Sequence, residues 1–207
     1  MIKLIVFDFD GTLVGGKKVI YNIIKEELDK KGYRMPNSYW HELGNMPLPA
    51  HLRKIGIKKN SDLQELARKI NERFIGAAKI IKPAKNIKSL AKIKRNKVIL
   101  TNNVKKYVRA CLKAHKINFF KEIHGGGKAP DKVQNFKLLL KKRKIKPSEV
   151  VYVGDKDHDA EVARKVGCIS VVVPGKSSWS SREDIVKAKP DFVIDDLGKL
   201  KSIIDGL

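Results

Sequence analysis

The stretch KLIVFDFDGTL, residues 3–13, joins a continuous apolar run to two aspartates and a glycine. An ionised carboxylate at the end of a buried strand is unfavourable by several kcal/mol unless a cation or a set of hydrogen-bond donors compensates it. Asp8 and Asp10 lie only two residues apart at this strand end. We therefore expect a metal site where the first strand ends.

Four more short apolar runs follow, and each alternates with an amphipathic helical pattern. The predicted strands are 3–8, 97–101, 150–154, 169–173 and 192–194, and the predicted helices are 103–115, 132–144, 158–166 and 197–205. Strands without polar alternation are typical of a parallel sheet that helices cover on both faces. The sequence thus predicts an α/β protein with a Rossmann-like, doubly wound parallel sheet.

The segment between the first and second predicted strands does not continue the β/α alternation. One helical stripe covers 19–28 and is followed by Gly32 at a C-terminal cap position. Another begins at Ser61, with Gln64 three residues later as in a capping box. We predict that residues 16–81 form a small α-helical cap over the carboxyl edge of the sheet, inserted after the first strand of a core made of 1–15 and 82–207.

Composition limits the class of protein. Apolar residues make up 42% of the 207 residues, and no run approaches the roughly 18 to 20 apolar residues of a membrane span. The first run breaks at Asp8, which is too early and too acidic for a signal peptide. We expect a cytoplasmic protein without membrane contact, in which Cys111 and Cys168 are reduced core residues.

The net charge is unusually positive. Lys and Arg total 45 against 22 Asp and Glu, a formal charge of +23. Such a field concentrates anionic partners, including nucleic acid and phosphorylated metabolites. The lysines are, however, spread along every predicted helix, which is equally typical of a solvated surface. Both interpretations stay open.

Polar residues interrupt the apolar runs at the carboxyl ends of the predicted strands, where open parallel sheets bind their ligands. Asp8 and Asp155 offer oxygen ligands suited to Mg²⁺. A carboxylate held at a strand end can attack phosphorus, and Asp10 could then protonate the leaving oxygen. Thr101 and nearby backbone N–H groups could hold a phosphoryl oxygen.

Four motifs carry a resemblance to a known family. The stretches DFDGTL at 8–13, ILTN at 99–102 and VGDKDHD at 153–159, with a lysine that opens the helix before the third strand, resemble the four motifs of the haloacid dehalogenase superfamily. The insertion after the first motif is similar to the helical cap of the phosphoglycolate phosphatase-like branch.

The resemblance implies a role for each matching residue. Asp8 would be the nucleophile and Asp10 the general acid and base. Thr101 would hold the phosphate. Asp155, Asp8 and the main-chain carbonyl of Asp10 would bind Mg²⁺, and Asp159 would support the site from outside.

The family lysine has two candidates. Lys128 lies in the loop GGGKAPD, two residues too far from Gly154 for one family form. Lys132 opens the helix at a spacing that suits the other form, and we favour it as the catalytic lysine. Gly11, Asn102 and Lys128 are then the expected substrate-binding residues.

Lys156 stands where the family commonly has serine or glycine. It would bring positive charge near the metal site and favour a more highly anionic substrate, or it would simply point to solvent. The remaining lysines are interpreted as solvated surface.

These residues predict a Mg²⁺-dependent phosphatase that hydrolyses a small phosphorylated metabolite through an aspartyl phosphate. A phosphomutase is an alternative if the cap shields the aspartyl phosphate from water. The positive charge keeps a third hypothesis open, a nucleic-acid-associated protein that acts on polynucleotide ends or only binds them.

Overall fold

The computed structural model describes residues 1–36, 39–40, 42–125 and 131–207. Its strands are β1 (Leu4–Phe7), β2 (Val14–Gly15), β3 (Lys82–Pro83), β4 (Asn96–Leu100), β5 (Glu122–His124), β6 (Val150–Gly154), β7 (Ile169–Val172) and β8 (Phe192–Val193). Its α-helices are α1 (Lys17–Asp29), α2 (Leu48–Lys54), α3 (Asn60–Gly76), α4 (Lys105–Ala114), α5 (Lys132–Arg143), α6 (Asp157–Val166), α7 (Arg182–Lys187) and α8 (Leu200–Asp205).

Six of the strands form one sheet in the order β5-β4-β1-β6-β7-β8, and every pairing in it is parallel. Successive side chains of β1 lie on opposite faces of the sheet and pack in two different hydrophobic clusters. Ile5 and Phe7 pack with α4 and α8, whereas Leu4 and Val6 pack with α5 and α6. Both faces of the sheet are therefore buried, which explains why the strands lack polar alternation. This is the doubly wound α/β fold that the sequence predicts.

The five predicted strands are all present, but the sequence pattern misses β5. This strand pairs with β4 at the edge of the sheet, and its three residues are exposed or half-buried. Burial does not mark such a short edge strand, so its composition resembles a loop. Helix α4 also begins two residues later than predicted, at Lys105.

Residues 16–81 lie between two short antiparallel strands. Gly15 of β2 pairs with Lys82 of β3, so the inserted segment leaves and re-enters the core at adjacent points. Helix α1 ends at Asp29, and Gly32 takes the left-handed conformation, φ +76°, expected after a helix. The predicted capping box at Ser61 is wrong: α3 starts at Asn60, whose side chain accepts a hydrogen bond from Arg53.

The inserted helices pack on the core through apolar contacts. The Phe74 ring of α3 lies 5.6 Å from the Tyr107 ring of α4. Cys111 and Cys168 are both buried free thiols, as expected. Among the described residues no helix has the length and apolar character needed to cross a membrane.

Candidate active site

Three buried carboxylates meet where β1 and β6 end. Asp8 follows β1, and its backbone N–H donates to the carbonyl of Val153 at 2.9 Å. Asp155 follows β6, and Asp159 lies in the first turn of α6. One carboxylate oxygen from each of these three aspartates lies within 4.8 Å of the other two. The order of the strands places β1 beside β6, so residues that are far apart in sequence form one acidic cluster.

Lys132 faces this cluster from the start of α5. Its Nζ lies 2.8 Å from Asp8 Oδ1 and 3.4 Å from Asp159 Oδ1. Burial alone would lower the pKa of Lys132, but the two carboxylates outweigh it and raise that pKa above its ordinary value. Lys132 is therefore a fixed cation beside the acidic cluster. The other candidate, Lys128, lies outside the described residues.

Asp159 makes its hydrogen bonds within the protein. Oδ1 accepts from the hydroxyl of Tyr152 at 2.8 Å, and Oδ2 accepts from the backbone N–H groups of Asp155 and Lys156 at 3.1 and 3.2 Å. A Cβ atom added to Gly154 would lie 2.3 Å from the Asp159 side chain, so only glycine leaves room for this approach. Asp159 thus orients the neighbouring strand end.

Asp155 is fixed by neutral donors. The Thr12 hydroxyl donates to its Oδ1 at 2.9 Å, and the Trp179 backbone N–H donates to its Oδ2 at 2.7 Å. Gly11, at φ +94°, lies so close that an added Cβ would be 2.3 Å from the carboxylate. Burial, followed by the charges of Asp159 and Asp8, raises the pKa of Asp155 well above its ordinary value.

The residues fit a divalent cation. The cluster contains three carboxylates, and burial also raises the pKa of Asp8 although Lys132 opposes the shift. Within the described part of the chain, the negative charge thus exceeds that of the one ammonium, Lys132, that pairs with the cluster. Oxygen ligands from one or two carboxylates are what Mg²⁺ prefers in proteins. Asp8 and Asp155 are the members that would hold it, because Asp159 already accepts from four donors, whereas each oxygen of Asp155 accepts from only one among the described residues.

Asp10 turns away from the acidic cluster. Its carboxylate accepts from Asn103 Nδ2 at 2.6 Å and from the Tyr107 hydroxyl at 2.8 Å. Burial, with a further contribution from the charge of Asp8, raises the pKa of Asp10 to about 7. A carboxyl group with that pKa can both give and take a proton near neutral pH. The side chain is not part of the metal-binding group; the resemblance assigned only the Asp10 carbonyl to the metal.

Two further predicted residues, Thr101 and Asn102, line a small cavity together with Asp8, Asp10 and Lys132. Thr101 is buried, and its hydroxyl accepts from the backbone N–H of Asn103 at 3.1 Å. Asn102 reaches across to the inserted segment, where its Nδ2 donates to the carbonyl of Gly44 at 2.9 Å. The structure therefore brings together every predicted site residue that it describes.

Lys156 does not point to solvent. It is 5% exposed, and its Nζ donates to the carbonyl of Leu43 at 2.9 Å and to Asn45 Oδ1 at 2.5 Å. With Asn102, it fixes residues 43–45 above the carboxylates. The cavity beneath them measures only about 20 Å³.

Three neutral partners of the acids were not predicted from the sequence: Tyr107, Tyr152 and Trp179. Tyr152 is the only hydroxyl in the apolar run VVYVG, and a buried hydroxyl needs a partner, so this residue carried a usable signal. Tyr107 looks like a core residue of an amphipathic helix. Trp179 acts through its backbone, which no side-chain pattern identifies.

Comparisons with known proteins show which family this chain resembles. The family model described as haloacid dehalogenase-like hydrolase matches residues 5–173. A phosphoglycolate phosphatase of Vibrio vulnificus is 32% identical over 110 residues, 51% of this chain and 47% of that protein. The matched stretch thus spans about half the length of that relative.

Two other comparisons extend over nearly the whole chain. A phosphoglycolate phosphatase of Synechococcus elongatus is 25% identical over 201 residues, 93% of this chain and 92% of that protein. The crystal structure of a predicted phosphatase from Clostridium acetobutylicum superposes with a TM-score of 0.82 at 19% identity, covering 100% of both chains. At that identity the superposition establishes the fold alone.

Proposed function

This chain belongs to the haloacid dehalogenase-like hydrolases, and from that membership we propose that it is a Mg²⁺-dependent phosphatase acting on a small phosphomonoester. The observation that carries the proposal is that two neighbouring aspartates have different surroundings. Asp8 lies in the acidic cluster beside Lys132, whereas Asp10, two residues later, is held by neutral donors at a pKa of about 7.

The first step transfers the phosphoryl group to the protein. An Asp8 carboxylate oxygen forms a bond to phosphorus while the bond from phosphorus to the ester oxygen breaks. The leaving oxygen takes the proton of the Asp10 carboxyl group. Lys132, which is protonated and 2.8 Å from Asp8, offsets the negative charge of the nucleophile and the transferring group.

The second step returns Asp8 to its starting state. Water attacks phosphorus and gives its proton to the Asp10 carboxylate, and the bond between phosphorus and Asp8 breaks to release phosphate. The Asn103 and Tyr107 contacts hold Asp10 in place for both proton transfers. Thr101 is the proposed holder of a phosphoryl oxygen, with Asn102, Gly11 and Lys128 as further contacts. Mg²⁺ bound at Asp8, Asp155 and the Asp10 carbonyl would supply charge neutralisation for the phosphoryl oxygens.

We assign residues 16–81 as the cap and residues 43–45 as the part of it that closes the site. A cavity of about 20 Å³ is too small for a phosphate ester, so the cap must open for substrate to enter and close for reaction. Closure over so small a space favours a small metabolite over a polynucleotide end. The names of the phosphoglycolate phosphatase relatives support the same substrate class.

The proposal is tested by hydrolysis of a generic aryl phosphate with and without Mg²⁺. We expect Mg²⁺-dependent turnover, and a loss of at least about a thousandfold in Asp8→Asn because the nucleophile is removed. Asp10→Asn should lose about a hundredfold or more, the scale of general acid–base catalysis. Asp205→Asn, an exposed carboxylate on α8, is the matched control.

Retained turnover in Asp8→Asn, or turnover independent of divalent metal, would contradict the mechanism. A phosphomutase would transfer the phosphoryl group to a second hydroxyl faster than to water. Product analysis with a sugar bisphosphate therefore separates that alternative from the phosphatase.

A further inference from the structure

A second, much larger cavity lies outside the candidate active site. It measures about 900 Å³, within the size range of small-molecule sites, and the two cavities share no lining residue among those that the structure describes. Its walls come from β2 and β3, from the start of α1, and from the loop that follows β7. It therefore lies at the two strands that connect the cap to the core.

Five lysines line this hinge cavity: Lys17, Lys18, Lys82, Lys85 and Lys176. Its two carboxylates are already paired, because Asp196 contacts Lys85 at 3.4 Å and Asp195 contacts Lys199 at 2.6 Å. Within the described part of the chain, the other four lysines of the cavity have no carboxylate at ion-pair distance. Cations gathered in a concave site without counter-charges favour an anionic occupant.

One wall of the cavity is the loop at the carboxyl end of β7, the end of a parallel strand where α/β proteins bind ligands. This loop is a tight turn in which the Ser178 N–H donates to the carbonyl of Gly175 at 2.9 Å. It brings Lys176 and Ser177 to the cavity. An ammonium and a hydroxyl on one turn are suitable donors for phosphate oxygens.

Another part of the cavity lining is aromatic. The Trp40 ring lines the cavity, and the Nζ of Lys17 lies 4.5 Å from the ring centre. Lys17 also donates to the carbonyl of Trp179 at 2.9 Å. This wall could accept the apolar or ring portion of a ligand whose charged groups reach the lysines.

We propose that the hinge cavity binds a small metabolite that carries two or more phosphate groups, at a site separate from the catalytic carboxylates. Such a ligand would contact the cap through Lys17 and Lys18 and the core through Lys82 and Lys176. It would also contact the loop whose Ser178 hydroxyl donates to the Asp155 carbonyl at 2.6 Å. The site therefore links the cap hinge to the strand end that carries Asp155.

The test is calorimetric titration of the full chain with inorganic tripolyphosphate and with a non-hydrolysable ATP analogue, in EDTA at fixed ionic strength. Binding of either probe at the catalytic carboxylates would not depend on Lys82 or Lys176, because neither lysine lines that cavity. We expect saturable binding that weakens about tenfold in Lys82→Gln and in Lys176→Gln, as for the loss of one charge-assisted hydrogen bond.

The matched controls are Lys113→Gln and Lys137→Gln, which remove the same charge from exposed positions on α4 and α5. Equal weakening in these controls would mean that the probes respond to the overall positive field, and would overturn the proposal. The proposal would also be overturned if neither probe bound at millimolar concentration. This holds even if a single-stranded oligonucleotide binds, because that ligand is not a small metabolite.

The two probes also distinguish the source of the ligand. Tighter binding of the ATP analogue, lost in Trp40→Ala, would support a nucleotide. Equal affinities would support a simple polyphosphate. Either result supports the proposed ligand class.

Discussion

Lys132 and Lys156 are both buried to 5% exposure beside the same carboxylates, yet their surroundings are opposite. Lys132 contacts the charged oxygens of Asp8 and Asp159, which belong to the core. Lys156 contacts neutral oxygens of Leu43 and Asn45, which belong to the cap. Burial lowers the pKa of Lys156, whereas the carboxylates raise the pKa of Lys132.

This difference separates a permanent contact from a reversible one. The Lys132 pair cannot open without leaving a buried carboxylate uncompensated, which is strongly unfavourable. The Lys156 contacts can open at modest cost, because its neutral partners and the ammonium itself can all be hydrated. We infer that the core lysine maintains the site and that the cap-facing lysine closes it.

Removing the core lysine should have the largest effect on stability. In Lys132→Met, we expect the free energy of unfolding to fall by about 3–5 kcal/mol, because the buried Asp8 and Asp159 must then either stay charged without this partner or take up a proton. Urea denaturation at neutral pH measures the change. Lys137→Met, exposed on the same helix, should change it by less than about 0.5 kcal/mol. If Asp8→Asn does not restore stability to the Lys132→Met chain, the cause is packing and not charge.

The cap should respond to acid through His51. Burial, aided by the charge of Lys156, lowers the pKa of His51 to about 4, and its Nε2 is buried with no hydrogen-bond partner among the described residues. The unfolded chain, in which a histidine has a pKa of about 6.5, takes up this proton first as the pH falls. The stabilisation is therefore complete above pH ~6.5 and is lost progressively between pH ~6.5 and pH ~4.

At pH 5 this linkage amounts to about 2 kcal/mol relative to pH 8. Denaturant titrations of the wild type and His51→Gln at both pH values separate the contribution of His51 from that of the other titrating groups. An identical pH dependence in the two proteins would contradict the assignment. In Lys156→Met the dependence should be smaller, since one cause of the lowered pKa is removed.

Removing the cap-facing lysine should increase local opening of the cap without a large change in the free energy of unfolding. In Lys156→Met we expect the free energy of unfolding to change by less than about 1.5 kcal/mol, since only neutral acceptors lose a partner. Amide hydrogen exchange at residues 43–45 should nevertheless accelerate about tenfold, while β1 and β6 stay protected. Lys165→Met, exposed on α6, is the control. Unchanged exchange at 43–45 would refute the closing role.

The smallest expected effect is the coupling between Lys156 and Asn45. A double-mutant cycle of Lys156→Met with Asn45→Ala should give an interaction energy of about 1 kcal/mol, the scale of one hydrogen bond. The same cycle of Lys132→Met with Asn45→Ala should give an interaction energy near zero, because their contacts are separate. Similar interaction energies in the two cycles would contradict the claim that Lys156, and not Lys132, closes the cap.

The sequence predicts the polar residues at the strand ends better than it predicts the contacts that hold residues 43–45 over them. Asp8, Thr101 and Asp155 are identifiable because each interrupts an apolar run at a strand end, and parallel pairing brings strand ends together. Lys156 also follows a strand, but its direction depends on where the carbonyl of Leu43 lies. That position is set by the packing of the cap, which local periodicity does not encode.

The same limit explains the errors in the element assignments. Strand β5 is specified by pairing of Glu122 with Val98 and not by burial. The start of α3 depends on a contact between Arg53 and Asn60. In both cases the deciding partner is distant or lies in another element. Local chemistry correctly predicts the positive-φ position at Gly32, because a left-handed residue after a helix needs no distant partner.

The pairing of Gly15 with Lys82 brings the two ends of the inserted segment side by side. Paired residues of antiparallel strands lie about 5 Å apart, so a short turn could replace the whole inserted segment without displacing a strand of the central sheet. Recombination could likewise substitute another segment of any length at this point, provided that it covered the Tyr107 face of α4 against which Phe74 now packs. New substrate specificities could therefore evolve on this scaffold by replacing one continuous stretch of the gene, with the catalytic aspartates left unaltered.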